Sequence, residues 1–301
     1  FYRMCRSYGF KRSDVFVIPS NIQVTVETPE GEIITQIRHI ESSEPNFDQL
    51  DYLNNLCRYV CQHTPDENEM REKYLEVINR EPQKRITRYA AGIMGGTGFA
   101  VFFGCNLRDA VIAFIVSVLI VAVGDWLAKR ESNLLVYNGI LAFISEVIII
   151  GALKMGIAEH PDRIMIGIVM LLISGLSTTN GIRDLLQRDF ISGFINIMNS
   201  FLGAAGIAFG IGLAIILFHE GYSDHFILNH SVPIQLLSCT VACTGFALWF
   251  KIRGKQVWYN SIGAFFTWAI YVAVYAVKPS NFMATMIAAG FVGFYAFIMS
   301  R

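Results

Sequence analysis

The sequence predicts a mainly α-helical polytopic membrane protein. The expected layout is an inverted five-span repeat with an incomplete second copy, preceded by a small α/β domain on the cytoplasmic side. Three observations carry that expectation. Of 301 residues, 53% are hydrophobic and only 16% charged, mean hydropathy is +0.45, and apolar runs recur from about residue 86 onward. Lys and Arg are plentiful in alternate connections and sparse in the others. A short segment near the start of the apolar region returns near its end.

The front end, residues 1–85, reads as α/β. Tyr2, Cys5 and Tyr8 have helical spacing, and the chain begins inside that pattern, so further residues are expected before Phe1. Asp14–Pro19, Asn21–Glu27 and Glu32–Ile37 are rich in β-branched residues and predict strands. Thr28-Pro-Glu-Gly31 supplies the turn of a hairpin between the second and third. Phe47, Leu50, Leu53, Leu56 and Val60 recur at helical spacing, with Asn46 as N-cap. A second helix follows to Asn79, with Pro65 at its first turn. His39 and His63 stand alone, and no nucleophile–base pair or phosphate loop is present in the sequence. The domain therefore reads as a regulatory or assembly module.

Pro82-Gln-Lys-Arg85 marks the boundary. Spans are predicted at about 86–104, 109–127, 134–154, 164–179 and 190–218, then 232–250, 257–277 and 282–299. One set of connections holds Lys84, Arg85, Arg88, Lys129, Arg130, Arg183, Arg188, Lys251, Arg253 and Lys255, with Arg301 at the end. The other holds Arg108, Lys154, Arg163 and Lys278. The positive-inside rule then places the front end in the cytoplasm.

Thr97-Gly-Phe-Ala-Val-Phe-Phe103 resembles Thr244-Gly-Phe-Ala-Leu-Trp-Phe250, and Asn133 lines up with Asn281 at nearly the same offset. Five spans per copy is odd, so the second copy, 219–301, crosses in the opposite sense to the first, 86–218. Inverted repeats of this kind build transporters that hold solute between the copies. The same offset carries a complete second copy past Arg301, so two further spans are expected from this chain, a second polypeptide or self-association.

Charge inside the spans is sparse. Glu146 lies mid-span, where an ionisable group is costly unless it faces a cavity or partner; it reads as a proton-coupling carboxylate or a structural pair. Asp125 is a second candidate for coupling, or a partner for Lys129 one turn on. Arg108–Asp109 reads as capping the outer end of the second span. Gly95, Gly96, Gly98 and Gly104 form a small-residue face for helix packing, as do Gly203, Gly206, Gly210 and Gly212. The stretch Ser174 to Asp184 predicts a helix that loosens within the membrane. Ser177, Thr178, Thr179, Asn180, Arg183 and Asp184 then bind a zwitterionic or anionic solute, with Arg183 turned inward toward spans one and five. The alternative is a solvated turn closed by Gly181, with Arg183 and Asp184 paired.

Zero net charge argues against a nucleic-acid partner. Cys57/Cys61 and Cys239/Cys243 are spaced i, i+4, but no further ligand completes a metal set, so no metal or cofactor is expected. The loop His219 to His225 has metal-binding residue types and reads as a solvated outer loop.

Tyr8-Gly-Phe, Asp14-Val-Phe-Val-Ile-Pro, Gly95-Gly-Thr-Gly-Phe-Ala, Phe103-Gly, Arg108-Asp109 and Asn180-Gly-Ile-Arg-Asp184 together resemble the threonine/serine exporter family. Residues 1 to about 218 look like its first component and the remainder like the opening of its second. The resemblance implies a multi-pass cell-membrane secondary transporter exporting threonine, serine or a similar small hydrophilic solute, with protons as coupling partner. A dicarboxylate is the alternative within the family. A membrane-anchored hydrolase using the front domain is the alternative from another class, and the sequence offers it no triad.

Overall fold

A computed structural model describes residues 1–40, 45–218 and 231–299. The chain divides into two compact units: residues 1–83 with 175–199, and residues 84–174 with 200–301.

The first unit opens with α1 (Tyr2–Ser7), followed by β1 (Arg12–Ile18), β2 (Asn21–Glu27) and β3 (Ile33–His39). The strands form an antiparallel sheet in sequence order, with Val15 opposite Val24 and Thr25 opposite Thr35. Two residues connect β1 to β2. Gly31, at φ +92°, turns the chain into β3 as the 28–31 turn signal anticipates. In α2 (Phe47–His63) Asn46 caps the start by accepting from the Gln49 amide at 3.2 Å. α3 (Glu67–Ile78) is capped by Asp66, which accepts from the Glu69 amide at 2.8 Å; Pro65 therefore lies just outside the helix rather than in its first turn. The Tyr8 hydroxyl donates to the Pro65 carbonyl at 2.6 Å and ties α1 to the turn between α2 and α3.

α8 (Gly175–Leu186) and the first turns of α9 (Phe190–Phe218) complete this unit. Their crossing is close: a Cβ on Gly181 meets the Gly193 carbonyl and Ile197, and one on Gly193 meets the Gly181 carbonyl and Leu185. Ser192 donates to the Val17 carbonyl at 3.1 Å, fixing α9 to β1.

The second unit holds α4 (Arg85–Phe102), α5 (Leu107–Leu127), α6 (Leu134–Lys154), α7 (Pro161–Leu172), the rest of α9, α10 (Val232–Trp249), α11 (Lys255–Val277) and α12 (Asn281–Met299). Its core joins Ala100, Ile112, Val116, Leu141, Ile149 and Ile164. Asn106 caps α5 and Asn133 caps α6, each accepting from amides in the first turn. α4 is central. Gly96 lies against Ser117 of α5, and Gly167 of α7 lies against the Ala100 backbone. Toward α10, Gly98 meets the Ala242 backbone while Gly245 meets the Gly95 amide. Between those contacts the rings of Phe99 and Phe246 meet edge-to-face at 5.5 Å.

Among the described residues six helices are long and apolar enough to cross a membrane: α5, α6, α9, α10, α11 and α12. Two of the eight predicted spans differ. α4 carries Arg85, Thr87, Arg88 and four glycines; its small-residue face is covered by other helices, so it need not be strongly apolar. The predicted fourth span is two helices, α7 and α8, which are apolar and long enough only as a bent pair. Ile173 is extended (φ −71°, ψ 133°) and ends α7. Ser174 precedes the restart, and Gly175, a poor helix interior residue, opens it. The motif after Ser174 is thus regular helix, not loosened backbone.

Candidate functional site

Ser177, Thr178, Thr179, Asn180, Arg183 and Asp184 all lie on α8. Gly181 is buried against α9, Ser177, Asn180 and Asp184 are half-buried, and Thr178, Thr179 and Arg183 are exposed. Thr179 donates to the Gly175 carbonyl one turn back at 3.0 Å. Asp184 accepts from the Asn196 amide at 3.0 Å, linking α8 to α9. The Arg183 side chain is 63% exposed and its ion-pair partner is its neighbour Asp184 at 3.4 Å. Arg183 is thus exposed within its own unit rather than turned onto α9.

Glu146 is 1% exposed on α6, a membrane-length helix. It shares a face with Ala142, one turn back, and Ala142 lies against Gly210 of α9. This α6–α9 crossing is made by backbone contact. A Cβ on Gly206 meets the Leu135 carbonyl, and one on Gly210 meets the Gly139 carbonyl. The Asn138 amide donates to the Gly203 carbonyl at 3.3 Å in the same seam. Gly212, expected among these packing glycines, faces open space.

Asp125 pairs with Arg88 at 2.8 Å, not with Lys129. The antiparallel packing of α4 and α5 brings the start of one beside the end of the other, while Lys129 lies in the turn beyond α5. Gly104, expected on the α4 packing face, lies past the end of that helix at φ +104°. It is a turn glycine, and a Cβ there meets the Arg163 guanidinium.

That turn belongs to a polar cluster at the end of the second unit away from Arg88 and Asp125. Asp109, 0% exposed, accepts from the Glu159 and His160 amides at 2.9 and 3.3 Å and contacts the His160 Nδ1 at 2.9 Å. Glu159 takes Arg108 at 2.9 Å and also the Asn106 amide. Arg108 and Asp109 thus bind the α6–α7 turn, while Asn106 does the capping assigned to them from sequence. Arg163 donates its Nη1 to the Gly104 carbonyl, and its Nε is buried without an acceptor among the described residues. His160, Glu159 and Arg163 were not legible as site residues, because their partners lie some fifty residues earlier.

Among the described residues no three His, Cys, Asp or Glu side chains gather to hold a metal; the loop His219 to His225 lies outside them. In the first unit, burial pushes the Cys5 thiol above its ordinary value, which weakens it as a nucleophile. The Tyr59 hydroxyl, donating to Glu69 at 2.6 Å, is raised by that bond. An apolar cavity of about 690 Å³ between α1, α2 and α3 is lined by Met4, Leu53, Leu56, Val60, Met70 and Tyr74 among others. None of these groups forms a hydrolytic constellation.

Comparison with known proteins gives matches to two family models and to one relative. A family model described as a threonine/serine exporter matches residues 1–218. A second model, also described as a threonine/serine exporter, matches residues 235–301. A threonine/serine exporter of Corynebacterium glutamicum is 25% identical over 182 residues, covering 58% of this chain and 37% of that relative. The chain therefore spans well under two thirds of that relative's length. No solved structure matches.

Proposed function

The chain belongs to the threonine/serine exporter family, a family of membrane transporters and not of enzymes, and on that premise we propose that it exports threonine, serine or a similar small hydrophilic solute by exchange with protons. Glu146 carries the reading: a carboxylate 1% exposed in the middle of a membrane-length helix, where a charge costs about 2.5–3.5 kcal/mol and ionisable side chains mark proton or solute pathways. It serves as the proton carrier, with Asp125 as a second acidic candidate. Ser177, Thr178, Thr179, Asn180, Arg183 and Asp184 serve as solute-binding groups on α8.

An inverted repeat in the second unit fits the α4–α10 seam. Under the Thr97-to-Thr244 alignment, Gly98 corresponds to Gly245 and Gly95 to Ala242. The contacts Gly98–Ala242 and Gly245–Gly95 then exchange with each other, and Phe99–Phe246 maps onto itself. A local two-fold relation between the copies produces that pattern. The loop distribution of Lys and Arg supports a cytoplasmic domain over 1–85 ahead of repeats at 86–218 and 219–301.

Counterflow of labelled threonine, serine and succinate into proteoliposomes of the full-length protein tests the reading. Exchange of threonine or serine that follows an imposed pH gradient supports it. Exchange of succinate alone supports the dicarboxylate alternative, and no exchange of any of the three rejects export of this class.

A further inference from the structure

The arginines around the bundle are not equivalent. Arg88 is neutralised by Asp125 at 2.8 Å and Arg108 by Glu159 at 2.9 Å. Arg163 is half-buried and has no ion-pair partner among the described residues. It stands in the first turn of α7, where the helix dipole disfavours a cation, and its Nε is shielded from solvent without an acceptor. Dipole and desolvation therefore both oppose its charge, and no described carboxylate bonds to it directly.

The geometry of the side chain says what fits it. Nη1, on the Cδ side of the guanidinium, is committed to the Gly104 carbonyl. The opposite edge carries Nη2–H and the shielded, unsatisfied Nε–H as two parallel donors, the fork that matches the two oxygens of a carboxylate. The charges nearby are mixed. Asp109 is held by His160 and Glu159 by Arg108 and Asn106, while Asp162 directly precedes Arg163. A dicarboxylate brings a second negative group toward these acids, whereas an amino acid brings an ammonium.

We propose that Arg163 binds the carboxylate of a zwitterionic α-amino acid at the end of the bundle where the α4–α5 and α6–α7 turns meet, and that the acids beside it disfavour dicarboxylates. The proposal rests on the amino-acid export reading and names a binding residue for it. Its rival is a purely structural role, in which Arg163 only closes the turn at Gly104.

The test uses purified full-length protein and two readouts. Binding is followed by thermal stabilisation with threonine, threonine amide or succinate; transport is followed by threonine counterflow in proteoliposomes. Arg163→Gln is expected to weaken threonine roughly tenfold or more while threonine amide, which lacks the carboxylate, is unchanged. Arg163→Lys recovers part of the loss. KM for threonine rises more than the maximal rate falls. Equal loss of threonine and the amide, or no loss, overturns the proposal in favour of the turn-closing role. So does an effect seen only in membranes containing anionic phosphatidylglycerol and absent in phosphatidylcholine, which makes a lipid phosphate the occupant. Stabilisation of the wild type by succinate in preference to threonine also overturns it. Wild-type protein that binds threonine through Arg163 but does not move it sinks the export reading and leaves this one standing.

Discussion

Glu146, Asp125 and Arg183 were each legible in the sequence as charges in apolar surroundings, and the structure separates them. Glu146 is buried to 1% exposure; Asp125 is a half-exposed partner of Arg88; Arg183 is 63% exposed beside Asp184. An exposed pair of that kind contributes little, about 0–1 kcal/mol. Arg183→Ala is still expected to weaken threonine more than Arg188→Ala does, because Arg183 shares α8 with the hydroxyl and amide groups assigned to solute. Binding of labelled threonine to the two variants checks this, and equal losses remove any special role for Arg183. Residue types and mid-span position revealed Glu146. They did not reveal the Asp109–His160 or Arg163–Gly104 contacts, which join two turns far apart in sequence and are created by packing.

The helices were read well where a local signal sets them. Asn46 caps α2 through its side-chain oxygen as its position indicates, and Gly31 makes its turn because it can adopt positive φ; the caps at Asn106 and Asn133 were not read, the first being assigned to Arg108 and Asp109. The break at Ile173 was placed too late, because the polar motif that suggested it is helix-compatible and the helix gives way ahead of it, at Ile173 and Ser174. The α4–α10 crossing gives a direct stability prediction. A side chain at Gly98 runs into the Ala242 backbone, whereas one at Gly212 meets nothing within 4 Å. Gly98→Val is expected to cost about 1–3 kcal/mol, and Gly212→Ala to be neutral or stabilising by up to about 1 kcal/mol. Detergent-solubilised protein read by thermal unfolding distinguishes the two; equal midpoints contradict the close approach of α4 and α10.

For the whole molecule, hydropathy and family resemblance pointed to a multi-pass membrane protein of the threonine/serine exporter family, and the matches over 1–218 and 235–301 agree with that family. Sidedness is a separate claim and rests on the distribution of Lys and Arg. Cys57 is exposed on α2 and reports it. A membrane-impermeant maleimide is expected to label Cys57 in inside-out vesicles and not in intact cells; labelling from outside reverses the topology. Coupled export is the activity proposed for the whole molecule. Its most direct measurement is labelled threonine exchange in proteoliposomes under an imposed pH gradient, comparing wild type with Glu146→Gln. The account predicts gradient-driven accumulation by the wild type, and by the variant, threonine exchange with no response to the gradient. Unchanged gradient-driven uptake by Glu146→Gln contradicts it.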